Sequence, residues 1–241
     1  MPLLRYEPWE DVPGLVQGVT VKDGDGCGVS FERLNGELPA LGFDKAARLH
    51  QVHGSRVLDQ DDKDFGQPGA GTYPDCDGVL GCRPGLLGVV SAADCVPVFL
   101  LGREARVWGA VHAGWRGVVA GVLEEALRMM GACHGVMARE LELYLGPSIC
   151  GKCYRVGGDV AARLASAGRG SGVTVTTGDK YFADLRTILA YQAREHGVRE
   201  RAVAVSRYCT SCHNELFCSF RSEGEHGLRK MWGIVGLAQG R

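Results

Sequence analysis

The sequence predicts an α+β fold: one domain of mixed β-sheets flanked by helices. Three observations carry this. Apolar β-rich runs and amphipathic helical runs intermingle without the regular strand–helix alternation of a doubly wound parallel sheet. Several apolar runs end at glycine- or proline-bearing turns beside a reactive side chain, as at His53-Gly54, Cys95-Val96-Pro97 and His112-Ala113-Gly114. The 241 residues hold no Pro/Ser-rich linker and no charge block, so residues 1–241 are expected to form one domain, with 1–12 peripheral.

Taken in order, residues 13–21 alternate enough for a half-buried strand, which stops at Asp23-Gly24-Asp25-Gly26. Residues 31–41 are weakly helical. Residues 46–52 read as a strand that delivers His53 and Gly54. Residues 59–75 are acidic and rich in glycine and proline, which predicts an exposed loop. Residues 78–81 and 86–91 read as a strand pair around the Arg83-Pro84-Gly85 turn. Residues 97–101 read as a strand or helix turn, and 107–111 as a strand. Leu123, Leu127 and Met130 recur at helical spacing, so 118–130 should bury one helix face. Residues 141–145, 173–177 and 202–206 are strand candidates. Residues 157–167 and 183–195 are expected to be helices. Leu185, Ile188, Leu189 and Gln192 mark one face of the second, and Gly197 ends it. The last apolar runs are 217–220 and 231–237.

Hydrophobic residues make up 45% of the chain and charged residues 23%, which suits a soluble globule. A net charge of -1 gives no field for nucleic acid or an anionic membrane. Residues 1–9 are polar and unlike a signal peptide, and no apolar run reaches the roughly 18 residues that cross a bilayer. The expected compartment is the cytoplasm and the default assembly is a monomer. Thiols stay reduced there, so the ten cysteines are not read as a disulfide framework. Cys27, Cys82 and Cys133 are expected in core or neutral roles.

His53, Cys95 and His112 are the candidate metal ligands. Two imidazoles and a thiolate are good zinc ligands, and three protein ligands leave a fourth position for water or substrate. Cys95 and His112 also suit a nucleophile and its base. Residue types alone leave both readings open, beside a third in which these are unrelated core or turn residues. Asp94 precedes Cys95, where it can cap the turn, orient a ligand histidine or carry a proton. Arg116 suits an anion such as phosphate. The alternative for it is a surface salt bridge, against which the flanking Gly114, Trp115 and Gly117 argue.

Cys150-Gly151-Lys152-Cys153 and Cys209-Thr210-Ser211-Cys212 form two CxxC pairs, a structural-zinc signal with a longer gap than a compact zinc ribbon has. With His213 the second pair also fits haem attachment, which the missing secretory signal discounts. A redox role needs a thioredoxin-like setting that the pattern lacks. His50, His134, His196, His213 and His226 are expected as surface or cap residues.

Several motifs in sequence order resemble one known family. They are Leu49-His50-Gln51-Val52-His53-Gly54, Ala93-Asp94-Cys95 within 88–97, and Val111-His112-Ala113-Gly114-Trp115-Arg116-Gly117. Leu145-Gly146-Pro147-Ser148-Ile149, Tyr181-Phe182-Ala183-Asp184-Leu185, Cys209-Thr210 and the 217–221 run follow. Together they resemble the laccase-domain family, once called multicopper polyphenol oxidases. It is also named for peptidoglycan editing factor and for bacterial purine nucleoside phosphorylases. The resemblance runs from about residue 13 to the end.

The resemblance implies a fold similar to the cytotoxic-necrotizing-factor-like catalytic fold, and a zinc site at His53, Cys95 and His112. It implies phosphorolysis of adenosine, inosine and methylthioadenosine, and deamination of adenosine, with nucleosides and phosphate as partners. Asp94 would then move a proton, and Arg116 with Arg221 would hold phosphate. It also implies a rival, a Cys95 nucleophile activated by His112 that edits misincorporated serine from a peptidoglycan precursor. A non-enzyme alternative is a zinc-stabilised binding module built on the two CxxC pairs. Copper competes with zinc on affinity alone, but seven histidines without a His-x-His motif make a poor multicopper centre. The chain departs from the family pattern where 28–34 runs directly into the first helix, at Arg155 in place of Glu, at Ser222 in place of a second Arg, and at Gly227-Leu228-Arg229. These departures bear on the substrate pocket and leave the metal residues intact.

Overall fold

A computed structural model describes residues 1–23, 28–62, 72–73, 75–176, 180–224 and 230–240. Strands β1 (Leu3–Leu4) and β2 (Leu15–Thr20) lead to helix α1 (Phe31–Leu41). Six strands follow: β3 (Lys45–Arg48), β4 (Val57–Asp59), β5 (Gly78–Gly81), β6 (Leu86–Ala92), β7 (Val96–Gly102) and β8 (Val107–Ala113). Helices α2 (Trp115–Val119) and α3 (Val122–His134) come next, then β9 (Glu142–Leu145), β10 (Arg155–Val156) and α4 (Gly158–Ala167). The chain ends with β11 (Val173–Thr176), β12 (Lys180–Ala183), α5 (Leu185–Glu195), β13 (Val203–Val205), α6 (Phe220–Glu223) and β14 (Met231–Leu237).

The strands form a five-stranded sheet ordered β1-β2-β14-β6-β3, a six-stranded sheet ordered β13-β9-β7-β8-β5-β4, and a small sheet ordered β10-β12-β11. Most pairings are antiparallel, but β3–β6, β4–β5 and β13–β9 are parallel. This is the expected α+β class with mixed sheets.

Every residue of β6, β7, β8 and β14 is buried, because both faces of these strands are covered. That explains why they read as continuous apolar runs rather than alternating ones. The two large sheets pack face to face around Val90 and Val235 from one and Val79, Phe99 and Trp108 from the other. Helix α1 lays Leu34 and Leu38 on the outer face of the five-stranded sheet. Helices α3 and α5 cover the outer face of the six-stranded sheet with Leu123, Met130, Ile188 and Leu189. Trp108 is the keystone between the sheets. A Cβ on Gly81 or on Gly88 would lie 2.5 Å from its indole, so both strands leave room for the ring. Truncating so buried an aromatic costs about 3–5 kcal/mol.

Local chemistry sets the helix ends. Ser30 accepts a hydrogen bond from the Arg33 amide at the start of α1, and Gly42 closes that helix at φ 86. Asp184 accepts from the Arg186 and Thr187 amides and starts α5.

Several expectations are corrected. Residues 78–81 and 86–91 are strands but not a pair: β5 joins β8 and β4, while β6 joins β14 and β3. The turn at 83–85 passes the chain from one sheet to the other, because each run can bury two faces only in separate sheets. The single helix expected over 118–130 is two, since Gly121 at φ 79 breaks the turn. Residues 1–12 are not peripheral: Leu3 and Leu4 pair with β2, Trp9 is fully buried, and Tyr6 stacks on Tyr144 at 4.5 Å. The 59–75 segment is not wholly exposed, since Asp59 ends a buried strand and Tyr73 is in the core. Its middle (63–71), together with Cys27, His226 and 227–229, lies outside the described residues. Cys133 is exposed, which fits the neutral rather than the core alternative expected for it. Among the described residues, no helix is long and apolar enough to cross a membrane.

Candidate active site

Three loops meet where β6, β7 and β8 end. The loop after β3 brings His53. The corner between β6 and β7, where the chain crosses between the large sheets, brings Asp94 and Cys95. The end of β8 brings His112, opposite Pro97 in the β7–β8 register. The ligand atoms of His53, Cys95 and His112 lie within 4.8 Å of one another. The two imidazoles meet edge to face, with ring centroids 4.8 Å apart. His112 is buried, Cys95 is half-buried and His53 is exposed, so the cluster opens to solvent on the His53 side.

The backbone is bent to build this. His53 has φ 60 and Asp94 has φ 87, left-handed values that strain a non-glycine residue and persist only where the surroundings hold them. The Asp77 carboxylate holds the first. It accepts hydrogen bonds from the amides of Val52, His53 and Gly54 at 3.2, 3.0 and 2.7 Å. Gln51 ties the same loop to β6 through the Ser91 amide, hydroxyl and carbonyl. The second is held by its own carboxylate. Thr210 Oγ1, Ser219 Oγ and the Arg221 amide each donate to Asp94 at 2.7 Å.

Gly114 and Gly117 keep the turn after β8 open for a steric reason. A Cβ on Gly114 would stand 2.7 Å from His53 Cδ2 and 3.1 Å from Cys95 Sγ. One on Gly117 would stand 2.9 Å from the Gly54 carbonyl oxygen. A side chain at Gly117 would push the two loops apart, and one at Gly114 would displace the His53 ring.

The electrostatics favour ligands rather than inert core groups. Burial pushes the Cys95 thiol up, but hydrogen bonds with His112 and His53 outweigh it and bring it down to about 6. Burial pushes His112 down, but the Asp77 carboxylate and Cys95 outweigh it and raise it to about 9. Both shifts favour a thiolate facing an imidazolium when no metal is bound. Burial likewise pushes Asp77 up, and its bonds to His112 and to the Gly54 amide still hold it below the ordinary carboxylate range.

Asp77 lies 2.8 Å from His112 Nδ1 and is fully buried. This carboxylate–histidine pair leaves Nε2 for the cluster, the arrangement that orients metal-binding histidines. Asp77 was not among the sequence candidates, although an acid directly before a strand, with Gly78 after it, was a usable signal. Asp94, weighed for that orienting role, instead anchors the 210–221 segment.

Arg116 and Arg221 are both exposed. Arg116 lies over the Trp115 ring at 4.5 Å. Arg221 lies over Tyr154 at 5.4 Å and donates to the Arg155 carbonyl at 2.9 Å. Burial, then the Cys95 and Asp94 charges, push the Tyr154 phenol up to about 12 against the opposing pull of Arg221 and Arg116. Tyr154 is thus in contact with Arg221 and within the field of Cys95 and Asp94. It too was missed as a site residue.

The multi-copper polyphenol oxidoreductase laccase family matches residues 30–238. The chain belongs to this family. A purine nucleoside phosphorylase of Deinococcus radiodurans is 34% identical over 200 residues, spanning 82% of this chain and 73% of that protein. The purine nucleoside phosphorylase YfiH of Escherichia coli is 34% identical over 193 residues, spanning 80% and 73%. The crystal structure of YlmD from Geobacillus stearothermophilus superposes with a TM-score of 0.84 at 24% identity, covering 95% of this chain and 93% of that one. The latter likeness establishes the shared fold.

The family's copper-oxidase description has little to rest on in these side chains. Among the described residues, two groups of three or more metal-binding side chains converge: His53-Cys95-His112 and the four cysteines of the CxxC pairs. His50 is taken by Asp75 at 2.9 Å and His134 by Asp59 at 2.5 Å. Among the described residues a set of adjacent histidine-rich copper sites is therefore not built, whereas one metal fits the His-Cys-His cluster in donor type and spacing.

Proposed function

We propose that this chain is a zinc-dependent purine nucleoside phosphorylase that acts on adenosine, inosine or methylthioadenosine, and that the same site deaminates adenosine. The observation that carries the reading is the His53-Cys95-His112 cluster flanked by Arg116, in the turn that follows His112, and by Arg221, whose amide donates to the Asp94 carboxylate beside Cys95. The activity named for the Deinococcus and Escherichia relatives supports it.

His53, Cys95 and His112 would hold the zinc, and a three-ligand zinc supplies Lewis acidity at its open position. Asp77 fixes the ring of His112 and, through three amides, the loop of His53. Arg116 and Arg221 hold the phosphate by charge-assisted hydrogen bonds. A phosphate oxygen forms a bond to C1′ of the sugar as the C1′–N9 bond breaks. The purine leaves with the electron pair and takes up a proton. Positive charge develops on the sugar, and the phosphate dianion between the arginines lies on the side where it helps most. Asp94, with three donors on its carboxylate, serves mainly to position the Arg221 backbone.

The test is an assay with inosine and phosphate on the purified protein and on His112→Ala. The expected products are hypoxanthine and ribose 1-phosphate, and metal and turnover are lost together in the variant. Full turnover by a folded, metal-free His112→Ala protein would sink the reading.

One observation favours a second reading. The Cys95 thiolate facing the His112 imidazolium is the pairing of a cysteine hydrolase, which would act on a serine-containing peptidoglycan precursor. It predicts that alkylating Cys95 abolishes activity while chelators spare it.

A further inference from the structure

We propose that Cys150, Cys153, Cys209 and Cys212 hold a second metal ion, a zinc in a closed tetrathiolate site, which clamps the loop carrying Thr210 against the loop after β9 and thereby fixes the Asp94–Cys95 corner. The four sulfurs lie within 4.8 Å of one another. A zinc with bonds of about 2.3 Å to four sulfurs sets them roughly 3.8 Å apart, so closing the site needs shifts of an ångström or less. An iron–sulfur cluster would force the same sulfurs further apart by its own width.

The fold brings the two pairs together by register. β9 and β13 are adjacent parallel strands at the edge of the six-stranded sheet, with Leu145 opposite Val205. Beyond their ends Ser148 bridges Cys209. Two CxxC turns therefore leave the same end of neighbouring strands in step. The distance in sequence between the pairs, which weakens the zinc signal in one dimension, is removed by strand pairing.

The backbone aims donors at the sulfurs. The Cys150 and Cys212 amides both donate to Cys209 Sγ, at 3.3 and 3.4 Å. Amides aimed at one sulfur stabilise it in the charged form that a metal needs. Lys152 lies between the first two cysteines and lines the adjoining cavity with Arg186, Arg207 and Asp184, a net positive lining that offsets part of the double negative charge of a zinc tetrathiolate. The Cys153 and Cys212 sulfurs lie 3.4 Å apart, well beyond the roughly 2.05 Å of a disulfide.

Four protein ligands leave no open position, which makes the site structural. Its reach into the first site is direct. Thr210, between Cys209 and Cys212, donates its amide to the Ser148 carbonyl at 3.1 Å and its hydroxyl to Asp94 at 2.7 Å. Ile149, next to Cys150, donates its amide to the Asp94 carbonyl at 3.0 Å.

The experiment is metal analysis of the full chain, purified with reductant and without chelator from zinc-supplemented cells, beside Cys153→Ser/Cys212→Ser and His112→Ala. Two zincs are expected in the parent and one in each variant. After cobalt exchange, the intense sulfur-to-cobalt charge-transfer bands of a tetrathiolate should be lost in the cysteine variant and kept in His112→Ala. Should the cysteine variant not fold, alkylation of the parent followed by mass spectrometry decides. Cys150, Cys153, Cys209 and Cys212 should be protected as a set and become reactive together after chelation. One zinc in the parent, unchanged by the cysteine substitutions, overturns the proposal, as does finding these cysteines disulfide-bonded or individually reactive in the metal-loaded protein. A two-zinc protein without nucleoside turnover would count against the proposed function alone.

Discussion

The buried carboxylate of Asp77 joins His112 to the backbone of the His53 loop: one oxygen lies 2.8 Å from His112 Nδ1 and also accepts the His53 amide at 3.0 Å. Two ligands that are far apart in sequence are thus set by one side chain. Asp77→Asn keeps the shape and an acceptor but loses the charge that fixes the imidazole. Metal affinity is expected to fall ~10–100-fold, as for other carboxylates behind metal-bound histidines. Competition against a chromophoric chelator measures it. Unchanged affinity would mean that His112 is oriented by packing alone.

Asp77→Ala should do more. It leaves three loop amides and a buried imidazole without their acceptor, and breaking a buried charged pair costs about 3–5 kcal/mol. Thermal unfolding should show this loss, whereas Asp77→Asn should melt much closer to the parent.

In metal-free protein, hydrogen bonds with His112 and His53 outweigh burial and bring the Cys95 thiol down to about 6. His112 is raised to about 9 by Asp77 and Cys95 against its own burial. Between these values the thiolate is already formed and the imidazole still carries its extra proton. Alkylation of Cys95 should therefore rise with pH through about 6 and then level off, while an ordinary thiol keeps climbing through ~8.5. Near neutral pH, metal binding should displace one proton, from His112. Calorimetry in buffers of different ionisation heat counts it. A midpoint near the ordinary thiol value would show that the thiolate–imidazolium pair does not form.

Gly114→Ala tests the steric reading of the turn. The added methyl would stand 2.7 Å from the His53 ring, an exposed side chain that can swing aside. The fold should survive with a near-parent melting temperature, and the metal should be lost or bound far more weakly. A Gly114→Ala protein with full metal content would show that the loop relaxes without opening the site.

Much of this was legible where the signal is local. Helix α1 spans the predicted 31–41 because Ser30 and Gly42, cap and stop, stand at its ends. His53, Cys95 and His112 each follow or end an apolar run at a turn, and the fold brings them together. The failures are non-local. The 83–85 turn looks like a hairpin, but which sheet each strand joins depends on β14 and β8, distant in sequence. Asp77 and Tyr154 matter through partners far along the chain, so neither stands out in its own segment. The two CxxC pairs look too far apart until β13 pairs with β9.

Under the proposed function, Arg116 and Arg221 separate phosphate binding from metal binding. Arg221 lies over the Tyr154 ring and Arg116 sits in the turn after His112, and neither belongs to the His53-Cys95-His112 cluster. Replacing either by Ala removes hydrogen bonds to a charged ligand, worth about 1.5–3 kcal/mol each. That corresponds to roughly 10–100-fold in kcat/KM for phosphate, at 1.4 kcal/mol per tenfold. Zinc content should stay at the parent level, and the KM for inosine should move little. Arg221 also donates to the Arg155 carbonyl, so Arg221→Lys, which keeps charge but not the forked geometry, should recover only part of the loss. If the nucleoside KM rose and the phosphate KM did not, the two guanidinium groups would belong to the purine or sugar side of the pocket, and the phosphate would have to be held elsewhere.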